Sequence, residues 1–297
     1  MVSDEERIMK LSKVLKEKSI TLSFEVFPPK ADSAFESVKQ AAYDVAELKP
    51  DYMSVTYGAG GSTSDNTLAI AEGIQKEYGV TTIAHLTCVG ATKESIRNSL
   101  LNMKNAGVEN ILALRGDKPK WMDGEPFTDY HYASDLVEEI KKFGGFCIGG
   151  ACYPEGHPDA SGKSQDIENL KKKVDAGCEF LTTQMFFDNN IFYDFLNRAE
   201  SAGIKVPVIP GIMPITRASQ VDNVIRLSGC RLPESLKNIT DRFADDKDAL
   251  LQAGVIYASQ QIIDLIANGI TNIHIYSMNN AEVVRRIRDN LSGIIKE

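Results

Sequence analysis

The chain contains no run of eighteen apolar residues, no CxxC pair, no long basic stripe and no Pro- or Ser-rich linker. Each absence excludes something. Without a long apolar run, no membrane insertion is expected. The charged, amphipathic start MVSDEERIMKLSKVLKEKS lacks the apolar core of a signal peptide, so a soluble, cytoplasmic protein is expected. The cysteines at 88, 147, 152, 178 and 230 show no zinc-finger spacing and three fall in apolar runs, which predicts reduced, buried thiols and no metal site. Lys and Arg number 33 against 41 Asp and Glu, a net charge of -8 that argues against a nucleic-acid partner. There is no G-x-S-x-G, no lysine inside a strand pattern and no acid-histidine set for two metals, which disfavours serine hydrolase, Schiff-base and two-metal chemistry.

What remains is an ordinary globular composition, 43% hydrophobic and 25% charged over 297 residues. Strand patterns fall at 22–29, 52–58, 81–88, 110–117, 146–153, 180–187, 207–213 and 272–278, separated by helical patterns. Several helices end in glycine, at Gly107, Gly144, Gly177 and Gly203. Eight such units predict a (β/α)8 TIM barrel with an extra N-terminal helix near residues 4–18 and extra helices within 233–268, before the eighth strand. No break in composition appears, so residues 1–297 read as a single domain. A doubly wound dinucleotide fold would want a third glycine at Thr63 of Gly58-Ala59-Gly60-Gly61-Ser62-Thr63, and the match fails there. That turn could still cradle a phosphate or be a plain tight turn.

The stretch LSFEVFPP, 22–29, places the carboxylate of Glu25 in an otherwise apolar strand. A buried carboxylate is costly unless it is paired or chemically employed. The polar faces of the strands add Ser54, Thr56, His85, Thr87, Arg115, Asp117, Tyr153, Thr182, Gln184, His274 and Tyr276. A structural barrel fills those layers with Val, Ile and Leu, so this convergence at one end of the strands predicts a polar ligand site. Each residue alone also has a structural reading: His85 and His274 as hydrogen-bonded core histidines, Arg115 paired with Asp117 across Gly116.

The segments SFEVFPPK, SVTYGAGGS, HLTC, LALRGD, YASDL, YPEGHP, DIENLKKKVDAG, TTQMFFD, PGIMPIT and HIYSMN, in that order, make the chain resemble the methylenetetrahydrofolate reductases. The resemblance implies a barrel binding FAD non-covalently, with methylenetetrahydrofolate as substrate and NADH as electron donor. It implies Glu25 as general acid, kept protonated near neutral pH by a desolvated pocket, and Asp117 as an electrostatic partner of flavin and pterin. Cofactor contacts carry over to Thr56, Tyr57, Ala59, His85, Arg115, Gly116, Asp117, Ala133, Tyr153, His157, Ala160, Asp166, Asn169, Lys172 and Lys173, and substrate contacts to Gln184, Gln220, Tyr276 and Asn280. Lys172 stands where many relatives carry arginine. Asn280 stands where relatives place an arginine against the folate glutamate tail, and Val224 replaces an aromatic. A homo-oligomer is expected, and some relatives receive electrons from a partner subunit. A flavin-free pterin-binding barrel that transfers a group is the alternative, as is an inactive scaffold subunit.

Overall fold

A computed structural model describes residues 9–29, 32–57, 64–118 and 122–295. Its strands are β1 (Thr21–Val26), β2 (Tyr52–Val55), β3 (Thr81–Thr87), β4 (Asn110–Leu114), β5 (Cys147–Cys152), β6 (Phe180–Thr183), β7 (Val208–Ile209), β8 (Gly211–Ile212) and β9 (Asn272–Tyr276). All pairings are parallel, in the order β7-β6-β5-β4-β3-β2-β1-β9-β8. The seventh predicted strand appears as two short pieces because Pro210 has no N–H to give a ladder. Its first half pairs with β6 and its second with β9, so this one segment joins the two ends of the sheet and closes a TIM barrel.

Side-chain alternation divides each strand between two cores. Leu22, Phe24, Val26, Met53, Val55, Ala84, Leu86, Ile111, Ala113, Ile273 and Ile275 face the surrounding helices. Tyr52, Ile83, Leu112, Cys147, Phe180 and Ile209 fill the inside. The N-terminal helix α1 (Leu11–Glu17) packs Leu11, Val14 and Leu15 onto that inner cluster, covering the N-terminal end of the barrel. Asn110, fully buried, ties it down: its Oδ1 accepts from Leu11 N at 2.6 Å, and its amide donates to Met9 O and Thr82 O, both at 3.1 Å.

The outer helices are α2 (Phe35–Ala46), α3 (Ser64–Tyr78), α4 (Lys93–Asn105), α5 (Ala133–Phe143), α6 (Lys163–Ala176), α7 (Asn189–Ser201), α8 (Ser219–Ser228), α9 (Glu234–Arg242), α10 (Lys247–Ala267) and α11 (Ala281–Leu291). The predicted extra helices are α9 and α10. By length and composition α10 could cross a membrane, yet Leu250, Val255, Ile262 and Leu265 are buried in this fold, as in a core helix. The four glycines expected to stop helices all have positive φ, and all five cysteines are buried. The predicted strands run past the observed ones at their C-terminal ends, and those overhanging residues form the mouth of the barrel.

Candidate active site

Glu25 projects from β1 into this mouth, its side chain 19% exposed. Its Oε2 accepts a hydrogen bond from Ser54 Oγ at 3.2 Å and lies 3.6 Å from Nε2 of both His85 and His274. Parity places all four on inward-facing positions: Glu25 pairs in register with Ser54 and Tyr276, and Ser23 with His274. Burial pushes the Glu25 carboxyl up, but the hydrogen bond with His274, the charges of His85 and His274 and the Ser54 hydroxyl outweigh it and hold it below the usual carboxylate value. The expectation of a carboxyl raised by desolvation is therefore corrected: in the ligand-free protein, Glu25 is an anion between two histidines.

The hydrogen bonds also assign a proton. Ser23 Oγ lies 3.1 Å from Ile273 O and 2.8 Å from His274 Nδ1; with its one proton on the carbonyl, that nitrogen is the donor. In the neutral ring, Nε2 then carries a lone pair toward the Glu25 carboxylate. The Ser54 hydroxyl, 3.5 Å from that nitrogen and 3.2 Å from Glu25 Oε2, stands between them. His85 is pushed down to about 4, chiefly by burial, and its Nε2 has no hydrogen-bond partner. The Tyr276 hydroxyl donates to Thr183 O at 2.5 Å.

Two cavities open beside the barrel mouth, neither lined by Glu25 or the two histidines. One of about 480 Å³ opens in the β4–β5 sector and is lined by Arg115, Ala133, Tyr153, His157, Ala160, Asp166, Asn169, Lys172 and Lys173, nine of the expected cofactor residues. Tyr132, Ser134 and Asp159 also line it and were not anticipated. Arg115 lies on a loop after β4 and not on the inward strand face, because β4 ends at Leu114 and Gly116 turns the chain at a φ of 78°. It pairs with Asp159 at 2.5 Å and not with Asp117, which is exposed. Tyr153 and His157 meet edge to face at 4.6 Å, and burial pushes the Tyr153 hydroxyl up to about 12. Lys173 Nζ donates to Ala151 O at 2.6 Å, with burial lowering its pKa, while burial raises that of Asp166.

The volume falls within the range of ligand pockets. Two lysines, an arginine and a histidine around a small-residue wall suit a pyrophosphate-bearing dinucleotide. Thr56, Tyr57, His85, Gly116 and Asp117 lie at the neighbouring strand ends and loops, while Ala59 and the turn at 58–63 lie outside the described residues.

The second cavity, about 220 Å³, opens in the β8–β9–β1 sector and is lined by Phe27, Pro214, Thr216, Arg217, Ser219, Gln220, Asn223, Ser277, Met278, Asn280 and Val283. Gln220 and Asn280 thus share one cavity, but each also has a structural task. Gln220 Oε1 accepts from Thr216 N and Arg217 N, both at 2.8 Å, and Asn280 caps α11 by accepting from Val283 N at 3.2 Å. Asn279, in the left-handed region with Met278, clasps the Phe27 backbone through two 2.9 Å hydrogen bonds. Gln184 lies between the sectors, half-buried, its Oε1 accepting from Met185 N at 3.0 Å. Val224 points away from both cavities into a small core with Phe187, Met213 and Ile215.

Comparison with known proteins agrees with this geometry. The family model described as methylenetetrahydrofolate reductase matches residues 10–292. The 5,10-methylenetetrahydrofolate reductase of Escherichia coli K12 is 37% identical over 264 residues, covering 89% of this chain and 88% of that one. Methylenetetrahydrofolate reductase (NADH) 1 of Arabidopsis thaliana is 36% identical over 97% of this chain, which spans 51% of the plant protein. Among solved structures, an uncharacterized Clostridium thermocellum protein that binds two copies of 5-methyl-5,6,7,8-tetrahydrofolic acid aligns with a TM-score of 0.64 at 17% identity, over 95% of this chain and 98% of that one.

Proposed function

The chain belongs to the methylenetetrahydrofolate reductase family, and from that premise we propose that it reduces 5,10-methylenetetrahydrofolate to 5-methyltetrahydrofolate, using non-covalent FAD and electrons from NADH. The observation that carries this reading is the carboxylate of Glu25 with its two histidines in a barrel mouth that also holds a cationic, dinucleotide-sized cavity. NADH appears in the name of the plant relative, which supports that donor.

In this reading Arg115, His157, Lys172 and Lys173 hold the pyrophosphate, and Ala133 and Ala160 let the cofactor approach the wall. When bound, FAD supplies the hydride that turns the methylene carbon into a methyl group. Asp117, exposed on the loop after β4, would act on the bound flavin and pterin electrostatically. Glu25 and His274 supply the proton. Seating a pterin over Glu25 removes its remaining water and favours the neutral acid. Protonation of the substrate N10 breaks its bond to the bridging carbon and leaves an iminium at N5. The product then carries N10–H and N5–CH3, so one proton and one hydride balance the step.

Anaerobic half reactions test this reading. The protein with FAD should bleach on NADH and recover its colour with methylenetetrahydrofolate. Glu25→Gln should keep flavin reduction while slowing reoxidation by folate about 100-fold or more, the usual scale for loss of a general acid. A protein that takes up no FAD, or a variant equally slow in both halves, would refute the assignment.

A further inference from the structure

The smaller cavity holds a feature that no step above uses. Among the described residues lining it, Arg217 is the sole cation, and its guanidinium makes no hydrogen bond or ion pair, although the chain has an excess of acidic residues. Its backbone is held, because Gln220 Oε1 accepts from the N–H of both Thr216 and Arg217 at 2.8 Å, while its side chain is exposed at the cavity rim. Phe27, two residues beyond Glu25 and held at its backbone by Asn279, lines the same cavity. Two strand residues span about 6.6 Å. A molecule whose reacting ring meets Glu25 and whose far end runs past Phe27 would therefore enter the cavity that Arg217 also lines.

We propose that Arg217 is the specificity residue for the acidic tail of the substrate: an aromatic amide lying against Phe27 whose terminal glutamate carboxylate pairs with the guanidinium. This rests on the folate reading of the site. Arginine suits the task, since its planar fork meets a carboxylate through two parallel hydrogen bonds. Asn280 lines the same cavity but has no charge, and its Oδ1 already caps α11. Recognition of the tail thus comes from the loop before α8 in this chain and not from the start of α11.

The test compares 5,10-methylenetetrahydrofolate bearing one or three glutamates with the corresponding tetrahydropteroate, which has none. KM is read in wild type, Arg217→Gln and Arg217→Lys, alongside equilibrium binding of the 5-methyl products. Wild type should prefer the glutamylated forms by about tenfold or more, on the scale of a charge-assisted hydrogen bond. Arg217→Gln should bring that ratio close to one, Arg217→Lys should retain part of it, and rising salt should erode it in wild type. FAD affinity, read by flavin fluorescence, should be the same in all three proteins. A ratio unchanged in Arg217→Gln, with folate still bound, overturns this inference alone. A wild type that binds neither folate overturns the substrate reading and the inference with it.

Discussion

His274 Nε2 stands 3.6 Å from Glu25 Oε2 on the neighbouring strand, and the ring's other nitrogen meets Ser23 Oγ at 2.8 Å. Ser23 therefore bears on which nitrogen of the imidazole faces Glu25 with a proton. Ser23→Ala frees the Nδ1 tautomer. It should slow folate reduction about tenfold or more and move the acidic limb of its pH profile, while flavin reduction by the donor is unchanged. An equal loss in both half reactions would assign Ser23 a purely structural role.

Burial of His85 should make stability depend on pH. Its folded-state pKa falls from 6.5 to about 4, so between those values the unfolded chain binds the proton that the folded one refuses. Stability should be intact above pH 6.5 and fall by about 3 kcal/mol as pH drops to 4. Glu25, held below its usual 4.5, has the same sign and extends the loss further into acid. Urea midpoints for the ligand-free protein at pH 7 and pH 4.5 should differ less in His85→Asn than in wild type.

The Arg115–Asp159 pair competes with any anion for the guanidinium. Replacing the acid in Asp159→Asn releases Arg115 and removes a negative charge from the cavity rim. Flavin affinity should tighten several-fold, whereas Arg115→Ala should weaken it about tenfold or more. Titration of the apoprotein followed by flavin fluorescence reads both. Weaker binding in Asp159→Asn would mean that the pair shapes the cavity instead of competing for its ligand.

At Gly254 on α10, an added Cβ would lie 1.8 Å from Ile215 O. No side-chain rotation relieves a clash with backbone, so Gly254→Ala should cost about 1–3 kcal/mol or more. Because Ile215 leads into Thr216 and Arg217, the same change should loosen the smaller cavity. A melting temperature within a degree of wild type would show that the helix can retreat at little cost.

Parity and turn signals were enough to read the barrel and to aim Glu25, Ser54, His85, His274 and Tyr276 inward. The same rule failed at Arg115 and Asp117, since β4 ends at Leu114, three residues short of the predicted strand, and the turn at Gly116 breaks the alternation. The set around the larger cavity was legible only through the ordered family segments, because helix and loop positions such as Asn169 and Ala160 carry no period that points at a ligand. Ser23 and Asn110 went unremarked among apolar neighbours; a polar residue inside a buried strand was the available signal. Nothing local marks Arg217, whose interest lies in what it fails to pair with.

The helix that stops the base of the barrel makes the interior a blind alley. With Leu11, Val14 and Leu15 seated on the innermost side chains, and Asn110 fastening the backbone before them, nothing passes through. On the proposed reading, reductant and folate would both have to enter by the one open end.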